Sequence, residues 1–283
     1  MEKLTTHLAL AQTFLFAPGH RPEFFTKALN SSSKAVIIDL EDAVPLDQKS
    51  TAREHIKALF KDCSLENIGR ILIRINPMDT QFTEDDMAFL NSLQVPLHIV
   101  LPKAESLSQL NALCAAAPNV KWIVPIIESA IGIDKVKEIA SHPLTLRLAL
   151  GNIDTQADLG ITCDAVETEL LPVRFAITLA TRLAGIAPPI DGVTTDISNQ
   201  ALLQTDTQRS KRLGFGAKLC IHPKQVDGII DCFKPTPAEL EYAQRVVAAD
   251  LESKGAAVKL DGKMIDRPVV LLAQRTLKLA GLS

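Results

Sequence analysis

Apolar runs too short to be buried helices return along the chain, with amphipathic stretches between them. They are TFLFAP (13–18), AVIIDLED (35–42), ILIRINP (71–77), LHIVLPK (97–103), WIVPIIE (122–128), LRLALGNID (146–154), PIDGV (189–193) and KLCIHP (218–223). Their near-continuous apolarity predicts strands buried on both faces, as in a parallel sheet covered by helices. The intervening segments read as helices. RPEFFTKAL sets Phe24, Phe25 and Leu29 at helical spacing, and DQKSTAREHIKALF does the same with Ala52, Ile56 and Leu59. SLSQLNALCAA opens on a serine cap, and AVETELLPVRFAITLATRLAG closes on Gly185, a helix terminator. Eight such strand–helix units predict a (β/α)8 TIM barrel, an α/β fold, over residues 1–235. A doubly wound open sheet is the competing arrangement.

The texture changes after Lys234. TPAELEYAQRVVAADLESKG carries a capping-box start with proline at the first helical position. AAVKLDGKMI reads as two short strands around an Asp261-Gly262 turn, and DRPVVLLAQRTLKLAG as a closing helix. Residues 236–283 are too few to bury much core alone, so they are expected to pack on another surface, such as a neighbouring subunit.

Composition narrows the function. With 47% hydrophobic and 22% charged residues, the 283-residue chain is ordinary for a globular protein. A formal net charge of −3 argues against nucleic acid or an anionic membrane as the main partner. The most apolar long stretch, LPVRFAITLATRLAGIAPPI, carries Arg174 and Arg182 and is no membrane span. MEKLTTHLALAQTF has an early lysine but no secretory core or cleavage site. Cys63, Cys114, Cys163, Cys220 and Cys232 lack metal-ligand spacing and read as reduced thiols of a cytoplasmic protein.

Chemistry in such barrels sits at the C-terminal strand ends. Those ends carry Arg21, Glu41 with Asp42, Arg74 with Asn76, Lys103, Glu128, Asp154, Asp191 and His222 in turn. Glu128 and Asp154, on adjacent strands, converge on one point. Two carboxylates with room left for water and substrate suit Mg2+. Arg74 offers a planar fork for a substrate carboxylate. A Glu128–Arg74 ion pair without metal is the alternative. Lys103 reads as an anion anchor or a carbonyl-attacking lysine. His222 reads as a positioned hydrogen-bonding group, and Asp158 as a helix cap or a ligand.

LFAPGHRPEFFTKAL, VIIDLEDAVPLDQKSTAR, RIN, LPKAES, IIESAIGI, LGNIDTQADLG, PPIDGV and LGFGAKLCIHPKQV, in that order, resemble the citrate lyase beta subunit-like (CitE-like) family of the HpcH/HpaI aldolase superfamily. The tail LDGKMIDRPVV resembles that family's C-terminal lid. The resemblance implies a Mg2+-dependent lyase that splits malyl-, citramalyl- or citryl-type CoA thioesters into an acetyl thioester and a 2-oxo acid. By the same resemblance Glu128 and Asp154 bind metal, and Arg74 and Glu128 bind substrate; Arg21 and Lys103 are expected beside them as anion anchors from their places at the strand ends. Glu41 and Asp42 support the metal's waters and the arginine, and Asp266 reaches a neighbour's site from the lid of a homo-oligomer, commonly a trimer. Asp266 also stands where an N-cap belongs, and Asn152 departs from the serine or alanine of many relatives. The competing functions are a citrate lyase beta subunit acting on an acyl-carrier thioester, a class II aldolase on non-thioester substrates, a lysine-dependent aldolase and a non-catalytic scaffold.

Overall fold

The computed structural model describes residues 6–253 and 255–282; the early lysine of the N-terminal stretch lies outside them. Eight parallel strands close into a barrel in chain order: β1 (Thr13–Pro18), β2 (Ala35–Asp39), β3 (Ile71–Arg74), β4 (Leu97–Leu101), β5 (Val120–Ile127), β6 (Ala149–Leu150), β7 (Ile190–Asp191) and β8 (Ala217–Cys220). β8 returns to β1 with Leu219 beside Phe14, so the barrel has no edge strand and the open doubly wound sheet is excluded. Every strand contributes to one apolar cluster, among them Phe14, Ile37, Leu72, Val100, Val124, Ala149, Ile190 and Leu219. Where one strand contributes two members they stand two residues apart (Ala35 and Ile37, Val124 and Ile126, Ala217 and Leu219), as a strand with one face toward the barrel axis requires.

Each expected run holds a strand, but most strands stop early. Glu41 and Asp42 do not lie on β2. The Asp39 carboxylate accepts the N–H groups of Glu41 (2.8 Å) and Ala43 (3.0 Å), which turns the chain out of the ladder. The run 146–154 contributes only two strand residues, because a helix already begins at Asn152. That helix puts Asp154 in its first turn, not on a strand as the sequence suggested.

The helices used below are α1 (Pro22–Leu29), α2 (Lys49–Asp62), α3 (Leu107–Ala116), α4 (Ala130–Asp134), α5 (Asn152–Leu159), α6 (Leu171–Ala184) and α7 (Gln200–Arg212). Ser106 and Gln109 form a capping box at α3, and Gly185 ends α6 in the left-handed conformation with φ 63°. A charged cluster is buried between β7, β8 and these last two helices. Arg174 of α6 donates to Asp191 (2.9 Å) and to Glu167, and Arg209 of α7 contacts Glu167 (2.9 Å) and Asp206 (3.1 Å). Lys218 of β8 donates to the Gly192 carbonyl at 2.7 Å. Three cations (Arg174, Arg209, Lys218) thus face three carboxylates (Glu167, Asp191, Asp206) in a region nearly closed to water.

Residues 231–283 form a second compact unit. It holds α8 (Pro237–Glu252), β9 (Val258–Leu260), β10 (Lys263–Ile265) and α9 (Arg267–Leu279). Asp261 and Gly262 both have positive φ (51° and 79°), as a tight hairpin turn demands. The unit buries Ala243, Val246, Ile265, Val270, Ala273 and Leu277 in a cluster of its own, more than its length suggested. Among the described residues no helix is long and apolar enough to cross a membrane.

Candidate active site

A cavity of about 390 Å³ opens at the C-terminal ends of the strands, lined by Phe16, Asp39, Asp42, Arg74, Glu128, Gly151, Asn152 and Asp154 among others. Its volume falls in the range that holds small organic ligands.

Arg74, the last residue of β3, is the cation of this cavity. Its Nε and one terminal nitrogen donate side-on to the two oxygens of Asp39, each at 2.6 Å, and its other terminal nitrogen lies 2.9 Å from Glu41 and 3.7 Å from Asp42. The guanidinium carbon stacks 4.7 Å from the centroid of Phe16. Burial alone would depress its pKa, but Asp39, then Glu41 and Asp42, raise it. Arg74 therefore stays charged, and the side-on grip leaves donors on its far edge for a planar anion. The Glu128–Arg74 ion pair weighed from the sequence does not form; the arginine pairs with Asp39, Glu41 and Asp42 instead.

Glu128 follows β5 directly and is only 5% exposed. Its Oε1 accepts the main-chain N–H of Lys103 at 2.7 Å, and its Oε2 lies so close to Gly151 that a Cβ there would sit 2.1 Å away. Burial pushes its pKa up to about 7; the Lys103 N–H opposes the rise, Asp154's charge adds to it, and the charges of Arg74 and Lys103 oppose it. A buried carboxylate strained by a like charge is relieved by a cation between them, so the donor set fits a divalent ion. Among the described residues no group of three or more His, Cys, Asp or Glu side chains is placed to hold a metal ion. Two carboxylates with the remaining positions left to water and ligand match Mg2+ better than a metal needing a full protein cage.

Glu41 is buried beside Arg74, and burial raises its pKa to about 8, with Arg74 lowering it and Asp42, Glu128 and Asp39 raising it. It favours the protonated form chiefly because burial disfavours the charged one, and the neighbouring carboxylates add to that. Lys49 of α2 fixes this loop by donating to the carbonyls of Leu40 (2.6 Å) and Glu41 (2.8 Å) and to Asn76 (2.8 Å).

Other expected residues fall elsewhere. Arg21 stands at the start of α1, exposed and paired with Glu23 at 2.5 Å, outside the cavity lining. The Lys103 side chain is exposed; only its main chain meets the site. Asp191 belongs to the buried cluster with Arg174. His222 caps a short 3-10 turn by accepting the Lys224 N–H, and Asp158 accepts the Ala130 N–H at the start of α4. Asp266, in the second unit, caps α9 through the Val269 N–H at 3.4 Å.

Two residues of the site were not singled out from the sequence. Asp39 was read as part of a buried strand, though an acid ending AVIID is itself the signal of a buried cationic partner. Gly151 shows its role only through the oxygen that lies against it.

Comparison with known proteins adds four findings. The family model described as HpcH/HpaI aldolase/citrate lyase matches residues 12–223. The citrate lyase subunit beta of Leuconostoc mesenteroides subsp. cremoris is 31% identical, with 96% of this chain and 93% of the relative covered. A (3S)-malyl-CoA thioesterase of Cereibacter sphaeroides is 30% identical, with 94% and 93% covered. The crystal structure of Mycobacterium tuberculosis CitE in complex with magnesium, acetoacetate and coenzyme A superposes with a TM-score of 0.84 at 31% identity, covering 96% of this chain and 99% of that one.

Proposed function

This chain belongs to the HpcH/HpaI aldolase/citrate lyase family, and from that premise we propose that it is a Mg2+-dependent carbon–carbon lyase of 3-hydroxyacyl-CoA thioesters. Citramalyl-CoA is the favoured substrate, with malyl- and citryl-CoA next. The observation that carries the reading is the Glu128–Asp154 pair beside Arg74 in one cavity. The magnesium and coenzyme A bound by the M. tuberculosis relative support it.

In this reading Glu128 and Asp154 hold the ion, and the far edge of Arg74 receives the carboxylate next to the substrate hydroxyl. The bound ion supplies Lewis acidity, lowering the pKa of the hydroxyl and polarising the incipient ketone. A base takes the hydroxyl proton, and the bond between the hydroxyl-bearing carbon and the thioester α-carbon breaks. Its electron pair stays on the α-carbon as the thioester enolate, which a proton returns to the acetyl form. Arg74 neutralises charge on the departing oxo acid, while Glu41, protonated, and Asp42 hold the arginine in place. We assign the proton work to Asp266 of a neighbouring subunit, with residues 236–283 acting as a lid that excludes water.

A homo-oligomer, a trimer in this reading, follows from that assignment. Support comes from Leu171, Phe175, Leu179 and Leu183, which stand exposed at four-residue spacing along α6. The five free cysteines favour a cytoplasmic home.

The test is cleavage of citramalyl-, malyl- and citryl-CoA by the purified protein with Mg2+, following the oxo acid and acetyl-CoA, with EDTA and E128Q as controls. Metal-dependent release of both products from one ester is expected. The thioesterase relative gives a second reading: free coenzyme A with an intact hydroxy acid would replace the lyase with a hydrolase. No reaction with any of the three would move the substrate to an acyl-carrier thioester.

A further inference from the structure

Lys103 is among the few non-glycine residues with positive φ in the described chain, at 46°. Left-handed backbone at a side-chain-bearing residue is uncommon and persists where its surroundings hold it. Here they do. The next N–H, of Ala104, donates to the Ile126 carbonyl at 3.2 Å. Gly132 of α4 lies under the Ala104 carbonyl, where a Cβ would come within 2.7 Å of that oxygen. Gln109 accepts the N–H groups of Glu105 (2.7 Å) and Ser106 (3.1 Å), and Ser129 donates to the Glu105 carboxylate at 2.6 Å. The bend is therefore tied both to β5 and to the starts of α3 and α4, and its result is one N–H aimed at Glu128 Oε1.

The opposite oxygen of Glu128 is fixed by the space that Gly151 leaves open. Held by a main-chain donor on one side and by the missing side chain on the other, the carboxylate has a single orientation toward the cavity. We propose that the strained main chain of Lys103, and not its ammonium group, is the positioning element that sets Glu128 for divalent-cation binding. The inference rests on the reading that Glu128 is a metal ligand. It is separate from any contact the exposed amine makes with substrate.

The experiment titrates purified full-length protein with Mn2+, reading free Mn2+ by electron paramagnetic resonance, with E128Q as the blank. K103G removes the amine and accepts positive φ, whereas K103V retains the N–H but resists that conformation because of its β-branch. Wild type and K103G are expected to bind Mn2+ within about threefold of each other, with K103V weaker by about tenfold or more, the size of effect typical for groups that orient metal ligands. Circular dichroism verifies folding, and K103A, with a milder penalty, replaces K103V if that variant does not fold. Equal weakening of K103G and K103V, or a K103V that binds like wild type, overturns the inference and leaves the metal site standing. A wild type that binds no Mn2+ overturns both.

Discussion

Asp39 grips Arg74 side-on, with two hydrogen bonds of 2.6 Å and a carboxylate wholly closed to solvent. The pairing fixes which edge of the guanidinium faces the cavity. D39N keeps the shape but removes the charge, leaving a buried arginine under-compensated. Loss of about 3 kcal/mol of stability is expected, together with a lower kcat/KM. Urea denaturation and steady-state kinetics measure the two, and a D39N protein matching wild type in both would refute the positioning role.

Gly151 is required where Glu128 Oε2 occupies the site of a side chain. G151A forces a Cβ into that oxygen and displaces the carboxylate, at an overpacking cost of about 1–3 kcal/mol. Divalent-cation affinity is expected to fall further than the stability loss alone explains. Calorimetric Mg2+ titration of the folded variant provides the measurement, and unchanged affinity would remove Glu128 from the ligand set.

The raised pKa of Glu41, about 8 in the fold against an ordinary 4.5, has a definite sign for stability. Between those values the native state keeps a proton that the unfolded chain releases. Stability contributed by this group therefore falls as pH rises from about 4.5 to about 8, by up to about 1.4 kcal/mol per pH unit. E41Q mimics the protonated form and should flatten that part of the curve, so that its margin over wild type grows from about pH 4.5 and levels off above about pH 8. Parallel urea titrations of both proteins from pH 5 to 9 decide it; parallel curves would mean Glu41 is ionised throughout.

For Asp266 the cap and the proposed proton work separate cleanly. Asparagine caps a helix about as well as aspartate, so D266N should keep the stability of α9, whereas D266A should lose about 1 kcal/mol. If the carboxylate carries the proton, both variants lose about 10²–10⁴-fold in kcat. Thermal melts set beside turnover numbers give the answer, and a D266N enzyme as active as wild type would reduce Asp266 to a cap.

Much of the barrel was legible because the strands between their helices are nearly pure apolar runs, a pattern that survives errors of a few residues at the ends. The ends were harder. Whether LRLALGNID continues as strand or turns into helix at Asn152 depends on the Gly151 N–H meeting the Ile127 carbonyl from the neighbouring strand, a long-range bond that local propensity does not encode. Arg74, Glu128 and Asp154 were visible as charges at strand ends, and the fold gathers them around one cavity. Asp191 and Asn76 carried the same signal, yet Asp191 points to Arg174, and Asn76 serves Lys49 and Asp86. A charge at a strand end has two faces to choose from, and only the register around the closed barrel makes the choice. Asp39 was missed for the converse reason: an acid inside an apolar run looks like strand until its arginine is found.

The buried cluster of Glu167, Arg174, Asp191, Asp206, Arg209 and Lys218 bears on how barrels of this kind can be recombined. A crossover between α6 and α7 would take some members from one parent and the rest from another, stranding charges where water cannot reach them, at about 3–5 kcal/mol for each broken pair. Asn152 extends the set, since its amide donates to Glu167 at 2.7 Å and to the Val193 carbonyl at 3.1 Å. Junctions before Gly151 and after Cys220 keep every partner together. The last two barrel strands, with α5, α6 and α7, are therefore a single heritable block, and Asp154 travels with it.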